Sequence, residues 1–423
     1  MPAIALLAAV GCGHGDQGTA DGALAADAAV GDGAQARGEG GSLEVGPVVS
    51  CQQNADCPAR FFCGITSKSC VSAVVQVVAG AQHSCAIHDS GQVSCWGLAE
   101  SIRAGGAAVL APALVPGVAP PLQLAAGTHL TCAITQARRV ACWGNQQLVV
   151  LGDDGTPISE VRALALGADY GCAVTSEGTR CWGKNDFGQL ARPLTVKDSA
   201  TAVLAQPKAA ERAGADFVGT GIAVVSVSGG QLCAWGRNAT KLISAADDLG
   251  VQVMPQCRSI TDVAELAVGD THACVRHAAG TFTCWGERYY GELGLGGTDT
   301  ADVGPPGSVT SLPGPVAQLV AGVSHSCALL MDGRVICFGR NNLGQVGPGA
   351  ATSDEEVRMP APVTGFSGKV IALGAGSTAQ HTCAIVADGS VQCWGSDDAG
   401  QLGDGAASLD PTRQSRGPVD VRF

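Results

Sequence analysis

An aromatic residue followed by glycine closes seven successive segments of this chain, at Trp96-Gly97, Trp143-Gly144, Trp182-Gly183, Trp235-Gly236, Trp285-Gly286, Phe338-Gly339 and Trp394-Gly395. All six tryptophans of the sequence stand in these endings, and the spacing runs from 39 residues (Trp143 to Trp182) to 56 (Phe338 to Trp394). Self-similarity at such a period marks a repeat architecture, with one supersecondary unit per repeat. The first block reads Val78-Ala79-Gly80-Ala81-Gln82-His83-Ser84-Cys85-Ala86-Ile87, then Gly91, then Cys95-Trp96-Gly97, and it recurs in recognisable form six times. Within it, Cys85-Ala86-Ile87 is expected as an inner strand, Asp89-Ser90-Gly91 as a turn, and Gln92 to Trp96 as the antiparallel return. The spacing suits one four-stranded blade per repeat, and seven blades close into a ring without exposed edges between them. The expected fold is all-β, a seven-bladed β-propeller over 73–423.

Composition agrees with many short strands. Sixty glycines and 20 prolines imply frequent tight turns, while 46% hydrophobic residues argue against a wholly disordered chain. Residues 1–11 are expected to be a signal segment, 12–48 a Gly/Ala/Asp-rich tether that buries too little to order itself, and 49–72 a small four-cysteine module. The net charge of -12 repels phosphate backbones, and no Lys/Arg run counters it locally, so nucleic acid is not an expected partner. No stretch approaches the roughly 18 uninterrupted apolar residues of a membrane-spanning helix.

Nineteen cysteines suit an oxidising compartment, where they pair. Six repeats carry a pair: Cys85 with Cys95, Cys132 with Cys142, Cys172 with Cys181, Cys274 with Cys284, Cys327 with Cys337 and Cys383 with Cys393. In a hairpin that turns midway, such residues fall opposite one another on neighbouring strands, close enough for a bridge. The fourth repeat has no strand cysteine between Val218 and Ser228, and Cys233 lies two residues before Trp235 instead of one; Cys257 is its candidate partner. Cys51, Cys57, Cys63 and Cys70 leave three connectivities open, and they lack the Cys-x-x-Cys knuckle of zinc sites. Cys12 remains. The run Ala3-Ile4-Ala5-Leu6-Leu7-Ala8-Ala9-Val10-Gly11-Cys12 resembles the apolar segment and lipobox of a bacterial lipoprotein signal, although no basic residue precedes it and Ala9 stands where Leu is usual. That resemblance implies that Cys12 is acylated, and that any membrane attachment is through a lipid anchor.

The ordered set of Gly, His, small apolar strand, Gly turn and Trp-Gly is followed by tails such as Phe187-Gly188-Gln189-Leu190, Tyr290-Gly291-Glu292-Leu293-Gly294, Leu343-Gly344-Gln345-Val346-Gly347 and Ala399-Gly400-Gln401-Leu402-Gly403. In this the chain resembles the regulator of chromosome condensation repeat family over roughly residues 74 to 423. The four-cysteine segment resembles small Cys-rich segments of myxobacterial surface lipoproteins. The family resemblance implies a seven-bladed propeller acting through one of its faces. Family members differ in partner, so the fold does not transfer a function. Export argues against nucleotide exchange on a cytosolic GTPase.

Four histidines, His83, His272, His325 and His381, each precede a blade's first cysteine by two residues and are expected around the axis. A ring of imidazoles would suit a metal; the resemblance implies strand-start hydrogen bonders instead. Leu130 and Tyr170 replace the histidine in two repeats, and His129 is one residue out of register. Asp153-Asp154 and Asp397-Asp398 with Asp404 lack the spacing of a calcium loop. No Gly-x-Ser-x-Gly elbow and no phosphate loop appears. No catalytic residue, cofactor or metal is therefore expected. The expected function is binding, by a monomeric propeller, of a protein or envelope polymer through the variable segments 98–123, 191–217, 237–263, 297–315 and 347–369. The alternatives are an exported polysaccharide lyase or hydrolase with a site at the axis, and a structural envelope component.

Overall fold

The computed structural model describes residues 50–423 apart from 58–60, 65–67, 99, 101–107, 145–147, 208–216, 222, 229, 239–242, 244–249, 298–302, 349–354 and 407–413. Cys12, the signal segment and the tether lie outside the described residues. Seven sheets follow one another along the chain, and each comes from one contiguous segment: residues 74–114, 121–149, 151–207, 217–259, 263–308, 316–363 and 370–420, here blades 1 to 7. The chain is an all-β, seven-bladed propeller. In blade 1 the strands are Val74–Ala79, His83–His88, Val93–Gly97 and Val109–Leu114, antiparallel and in chain order. First strands of successive blades lie side by side and so line the axis. The strand holding Cys85-Ala86-Ile87 is the second from the axis, one of the two inner ones.

The variable segments are not simply loops, and this corrects the expectation. Each contains the fourth strand of a blade: Val109–Leu114, Asp198–Pro207, Val251–Ser259, Val303–Ser308 and Glu356–Val363. Their alternation is hidden because the ladder shifts register opposite the Trp-Gly aromatic, between Cys95 and Gly97, Ala234 and Gly236, Cys337 and Gly339, and Cys393 and Gly395. Pro112, Pro255, Pro360 and Pro418 stand in those breaks. On an outer strand proline withholds a donor that another chain could pair with.

Seven buried clusters fill the seven boundaries between blades. Each ending aromatic faces the preceding blade. Trp96, Trp235 and Trp394 donate their indole N–H to the main-chain oxygens of Gln401, Gln189 and Gln345, at 2.8, 2.8 and 3.0 Å. The Trp-Gly half of the repeat thus bonds to the Gly-Gln half of the blade before it, which is why both recur together.

Six disulfides, Cys85–Cys95, Cys132–Cys142, Cys172–Cys181, Cys274–Cys284, Cys327–Cys337 and Cys383–Cys393, join directly opposed residues of second and third strands. Their Cα atoms are 4.0 to 4.1 Å apart, close to the separation of non-hydrogen-bonded antiparallel pairs. Each bridge faces the following blade. Cys85 and Cys95 pack with Trp143, Cys132 and Cys142 with Trp182, Cys274 and Cys284 with Phe338, and Cys383 and Cys393 with Trp96. Blade 4 reverses this. The positions opposed next to Trp235 are Val225 and Ala234, whereas Cys233 opposes Ser226 on one side and Cys257 on the other. With a side-chain period of two, the one-residue offset turns Cys233 to the sheet's other face. The Cys233–Cys257 bridge therefore packs toward blade 3, beside Cys172 and Cys181, and the boundary between blades 4 and 5 is filled by Val225, Ala234, Ala273 and Trp285. In the small module the bridges are Cys51–Cys63 and Cys57–Cys70, around a short antiparallel pair, Phe61–Cys63 with Cys70–Ser72.

Candidate functional site

The four histidines tie blades to each other. The Nε2 atoms of His83, His272, His325 and His381 lie 2.9, 2.7, 2.8 and 2.7 Å from the hydroxyls of Thr131, Ser326, Thr382 and Ser84 on the next blade. The Ser84 hydroxyl donates to the main-chain oxygen of Gln401, so the ring of His381 must donate to Ser84. Tyr170, in the same register, donates its hydroxyl to Gly221 O at 2.7 Å, again across a boundary. Burial holds the imidazoles neutral, lowering His83, His272 and His381 to about 3 and His325 to about 4. Their Nδ1 atoms face no hydrogen-bond partner among the described residues.

At this end of the axis the backbones close in. A Cβ on Gly127 would stand 2.5 Å from the carbonyl oxygen of Gly167, and one on Gly269 2.5 Å from that of Gly322. Only glycine permits the approach. The two cavities of note lie away from the axis: about 220 Å³ beside Asp153, Asp154, Glu177 and Arg180, and about 510 Å³ between Leu312, Pro313, Arg334, Pro360 and Pro362.

The turns between first and second strands share a face with the tails that follow Trp-Gly, and this face carries the exposed aromatic side chains of the repeats. Arg237 lies over the Phe187 ring, 5.0 Å from its centre, and Arg340 over Tyr290 at 4.6 Å. Tyr289 meets Tyr290 edge-on at 4.7 Å, and Arg358 donates to Tyr289 O at 3.0 Å while paired with Glu356. Tyr289 is 46% exposed, Met359 51% and Leu295 38%. Blades 5 and 6 therefore present one surface of Tyr289, Tyr290, Leu295, Arg340, Arg358 and Met359. Tyrosine and arginine, large and amphipathic, are the residues that dominate protein interfaces. In the sequence the one mark of this surface is that two of the chain's three tyrosines stand adjacent, at Tyr289 and Tyr290.

Beneath it lies a set of carboxyls. In three tails a glutamine side-chain oxygen accepts a main-chain N–H two residues earlier: Gln189 from Phe187, Gln345 from Leu343 and Gln401 from Ala399, each at 2.8 Å. Blade 5 has Glu292 there, accepting from Tyr290 at 2.9 Å, with its other oxygen buried and unpartnered among the described residues. Burial, with repulsion from Glu287 adding to it, pushes Glu292 up to about 7. Asp270 is pushed up to about 6 by burial and then by Glu287, which also accepts from the Thr271 hydroxyl. A protonated Glu292 is the isostere of the amide used elsewhere. Because its folded value is raised, the carboxyl weakens the fold as pH rises past its unfolded value near 4.3 and most fully above about 7. Glu292→Gln is expected to raise stability by about 2 to 3 kcal/mol at pH 8 and hardly at all near pH 4.5, read from urea midpoints.

The remaining residues weighed as sites serve the fold, most of them within one loop and Asp398 across the boundary between blades 7 and 1. Asp154 accepts from the Thr156 main-chain N–H and hydroxyl, at 3.0 and 2.8 Å, and Asp153 lies 3.5 Å from Arg180. Asp397 accepts from Leu402 N–H at 3.0 Å, Asp398 from Gln82 at 2.8 Å and Asp404 from Ala406 N–H at 3.0 Å. Among the described residues, the one group that gathers three metal-type ligand atoms is Cys51, Cys57 and Cys70, whose sulfurs are in disulfides.

Fold and surface together define a disulfide-braced propeller whose exposed chemistry suits recognition of a macromolecule. The regulator of chromosome condensation (RCC1) repeat matches at residues 74–100, 283–329, 316–345, 332–385 and 370–401, so blades 1, 5, 6 and 7 of this seven-bladed propeller carry RCC1 repeats. The human E3 ubiquitin-protein ligase HERC2 is 31% identical over 255 residues, 58% of this chain and 5% of that protein. The ultraviolet-B receptor UVR8 of Arabidopsis thaliana is 28% identical over 269 residues, 62% of this chain and 58% of the receptor. The chain thus spans a twentieth of the ligase and less than two thirds of the receptor. Among solved structures, Kap60 bound to yeast RCC1 (Prp20) matches with a TM-score of 0.62 at 17% identity, covering 92% of this chain and 90% of that one. Human WBSCR16 matches at 0.58 and 23%, covering 72% and 85%. These likenesses give the fold. Propellers of this repeat are protein-binding modules, and nine disulfides suit an oxidising or extracellular setting.

Proposed function

We propose that this protein is an exported, lipid-anchored propeller that binds a protein or envelope polymer through the tail face of blades 5 and 6. The supporting observation is the exposed Tyr289, Tyr290, Arg340, Arg358 and Met359 surface, held on a rigid ring. Such anchors lose little conformational entropy on binding, because Tyr290 is already stacked under Arg340 and Arg358 is already held by Tyr289 and Glu356. The axial lyase or hydrolase reading finds less support, since glycine backbones of neighbouring blades meet beside the axis. Anchoring rests on the apolar run before Cys12, and export on that run and on the disulfides.

The test is capture of partners from envelope extract with the native protein and with a Tyr289→Ala/Arg340→Ala variant. Loss of about 10-fold or more in a recovered partner supports the reading. Equal recovery rejects this surface, and an equal loss in the blade-boundary variant Tyr170→Phe, with its fold intact, assigns binding elsewhere. Palmitate labelling abolished by Cys12→Ser supports the anchor; persistent labelling rejects that site.

A further inference from the structure

Six of the seven blade boundaries are crossed by the chain itself, so neighbours cannot part without stretching a connection. Among the described residues the seventh, between blades 7 and 1, is not: blade 1 starts at Val74 and blade 7 ends at Asp420, and neither lends a described strand to the other. The ring should open most readily here. The four-cysteine module, joined to blade 1 by residues 72–74, lies over this boundary. Asn54 donates its side-chain amide to Asp388 in the hairpin turn of blade 7 at 2.5 Å, and the same asparagine's oxygen accepts Cys63 N–H at 2.8 Å, inside the module. Val74 donates to Gly389 O of blade 7 at 3.0 Å while Ala73 O accepts from Asp89 of blade 1 at 2.7 Å, so the linker is threaded between the two hairpin turns. His88 lies 2.9 Å from Ser72 O.

The apolar contact repeats this arrangement. Phe62 is 3% exposed and meets Phe423 edge-on at 5.5 Å; Phe423, which follows the last strand of blade 7, in turn meets His88 and Trp96 of blade 1 at 5.3 and 5.9 Å. Its neighbour Phe61, on the other face of the same short strand, is 40% exposed. We infer that the four-cysteine module is a clip that locks the ring at its unlinked boundary, holding blade 7 to blade 1 through Phe62, Asn54 and the 72–74 linker. Its two bridges hold those groups in place, since Cys63 adjoins Phe62 and is tied to Cys51, and the Cys57–Cys70 bridge closes the segment that carries Phe62.

Hydrogen exchange read by mass spectrometry on the full chain tests this. In Phe62→Ala/Asn54→Ala, exchange of the strands His83–His88, Val93–Gly97, His381–Val386 and Val391–Ser396 is expected to rise by about 10-fold or more, with Ala223–Ser228 of blade 4 unchanged. Phe61→Ala should change none of them. Cys57→Ser/Cys70→Ser should reproduce the local rise without substituting a contact residue. Unchanged exchange in blades 1 and 7, or an equal rise in blade 4, would overturn the clip.

Discussion

Chain reduced and alkylated at all eighteen bridged cysteines is expected to be unfolded at 25 °C. The seven propeller bridges close segments of 9 to 24 residues. Chain entropy assigns each about 3 kcal/mol, or about 20 kcal/mol in all, which exceeds the roughly 5 to 15 kcal/mol by which domains are usually stable. The bridges are not independent, yet half that sum would still remove most of the stability. Sulfurs belong to the core as well: Cys142, at 3%, is as exposed as any cysteine within the second and third strands, Cys274 and Cys284 are at 1% and 0%, and alkyl groups cannot be placed there without overpacking. Buried Trp96, Trp235 and Trp394 report the outcome through a red-shifted emission maximum, with loss of near-ultraviolet dichroism. A native spectrum from fully alkylated protein would remove the bridges from the account of stability. Timing follows from the same burial. Cys57, Cys63 and Cys70 are partly exposed, so the module's bridges should be reduced first, and those of the blades only as fast as the blades open.

What could be read beforehand follows the chemistry of the individual strands. Second and third strands were legible because both faces are buried between blades, which forces Cys85-Ala86-Ile87 and Cys95-Trp96-Gly97 to carry small, apolar and aromatic residues in a fixed register. The outer strands were not, since Val109–Leu114 is partly solvated, carries Pro112 and shifts register beside Trp96. The change at Cys233 was visible as an offset, but its consequence, a bridge on the opposite face, needed the pairing with Ser226 and Cys257. The tail surface was missed because its parts are remote in sequence: Arg340 and Arg358 meet Tyr290 and Tyr289 only when blade 6 packs on blade 5. Glu292 stood in plain view as the acidic member of the Gly-Gln-Leu series, yet its protonation depends on burial and on Glu287.

Acid should unfold the propeller steeply below about pH 4.3, and only gently above it. His83, His272, His325 and His381 are lowered by burial to about 3, 3, 4 and 3. Once unfolded they take up protons near pH 6.5, so the stability held in their neutral form is complete above that value and is lost as pH falls, by about 1.4 kcal/mol per unit for each. Glu265, Asp270 and Glu292 oppose this, being raised to about 7, 6 and 7 mainly by burial. Between about pH 4.5 and 6 the fold keeps three protons that the unfolded chain has released, against four imidazole protons that only the unfolded chain takes up. From these seven groups the net is about one proton, or about 1.4 kcal/mol per unit, and His88, also lowered by burial, acts in the same direction as the four histidines. Below about pH 4.3 the unfolded carboxyls are protonated too, the offset disappears, and the slope steepens toward about 5 kcal/mol per unit until the buried imidazoles themselves titrate. Urea midpoints taken from pH 7 to 3.5 should show this break. His381→Gln should lower the slope by about one proton, whatever its effect at pH 7, because the hydroxyl of Ser84 keeps a donor and the titrating ring is gone. An unchanged midpoint between pH 6 and 3.5, or a variant slope equal to that of the native chain, would mean that the histidine belt is not the acid-sensitive element of the ring.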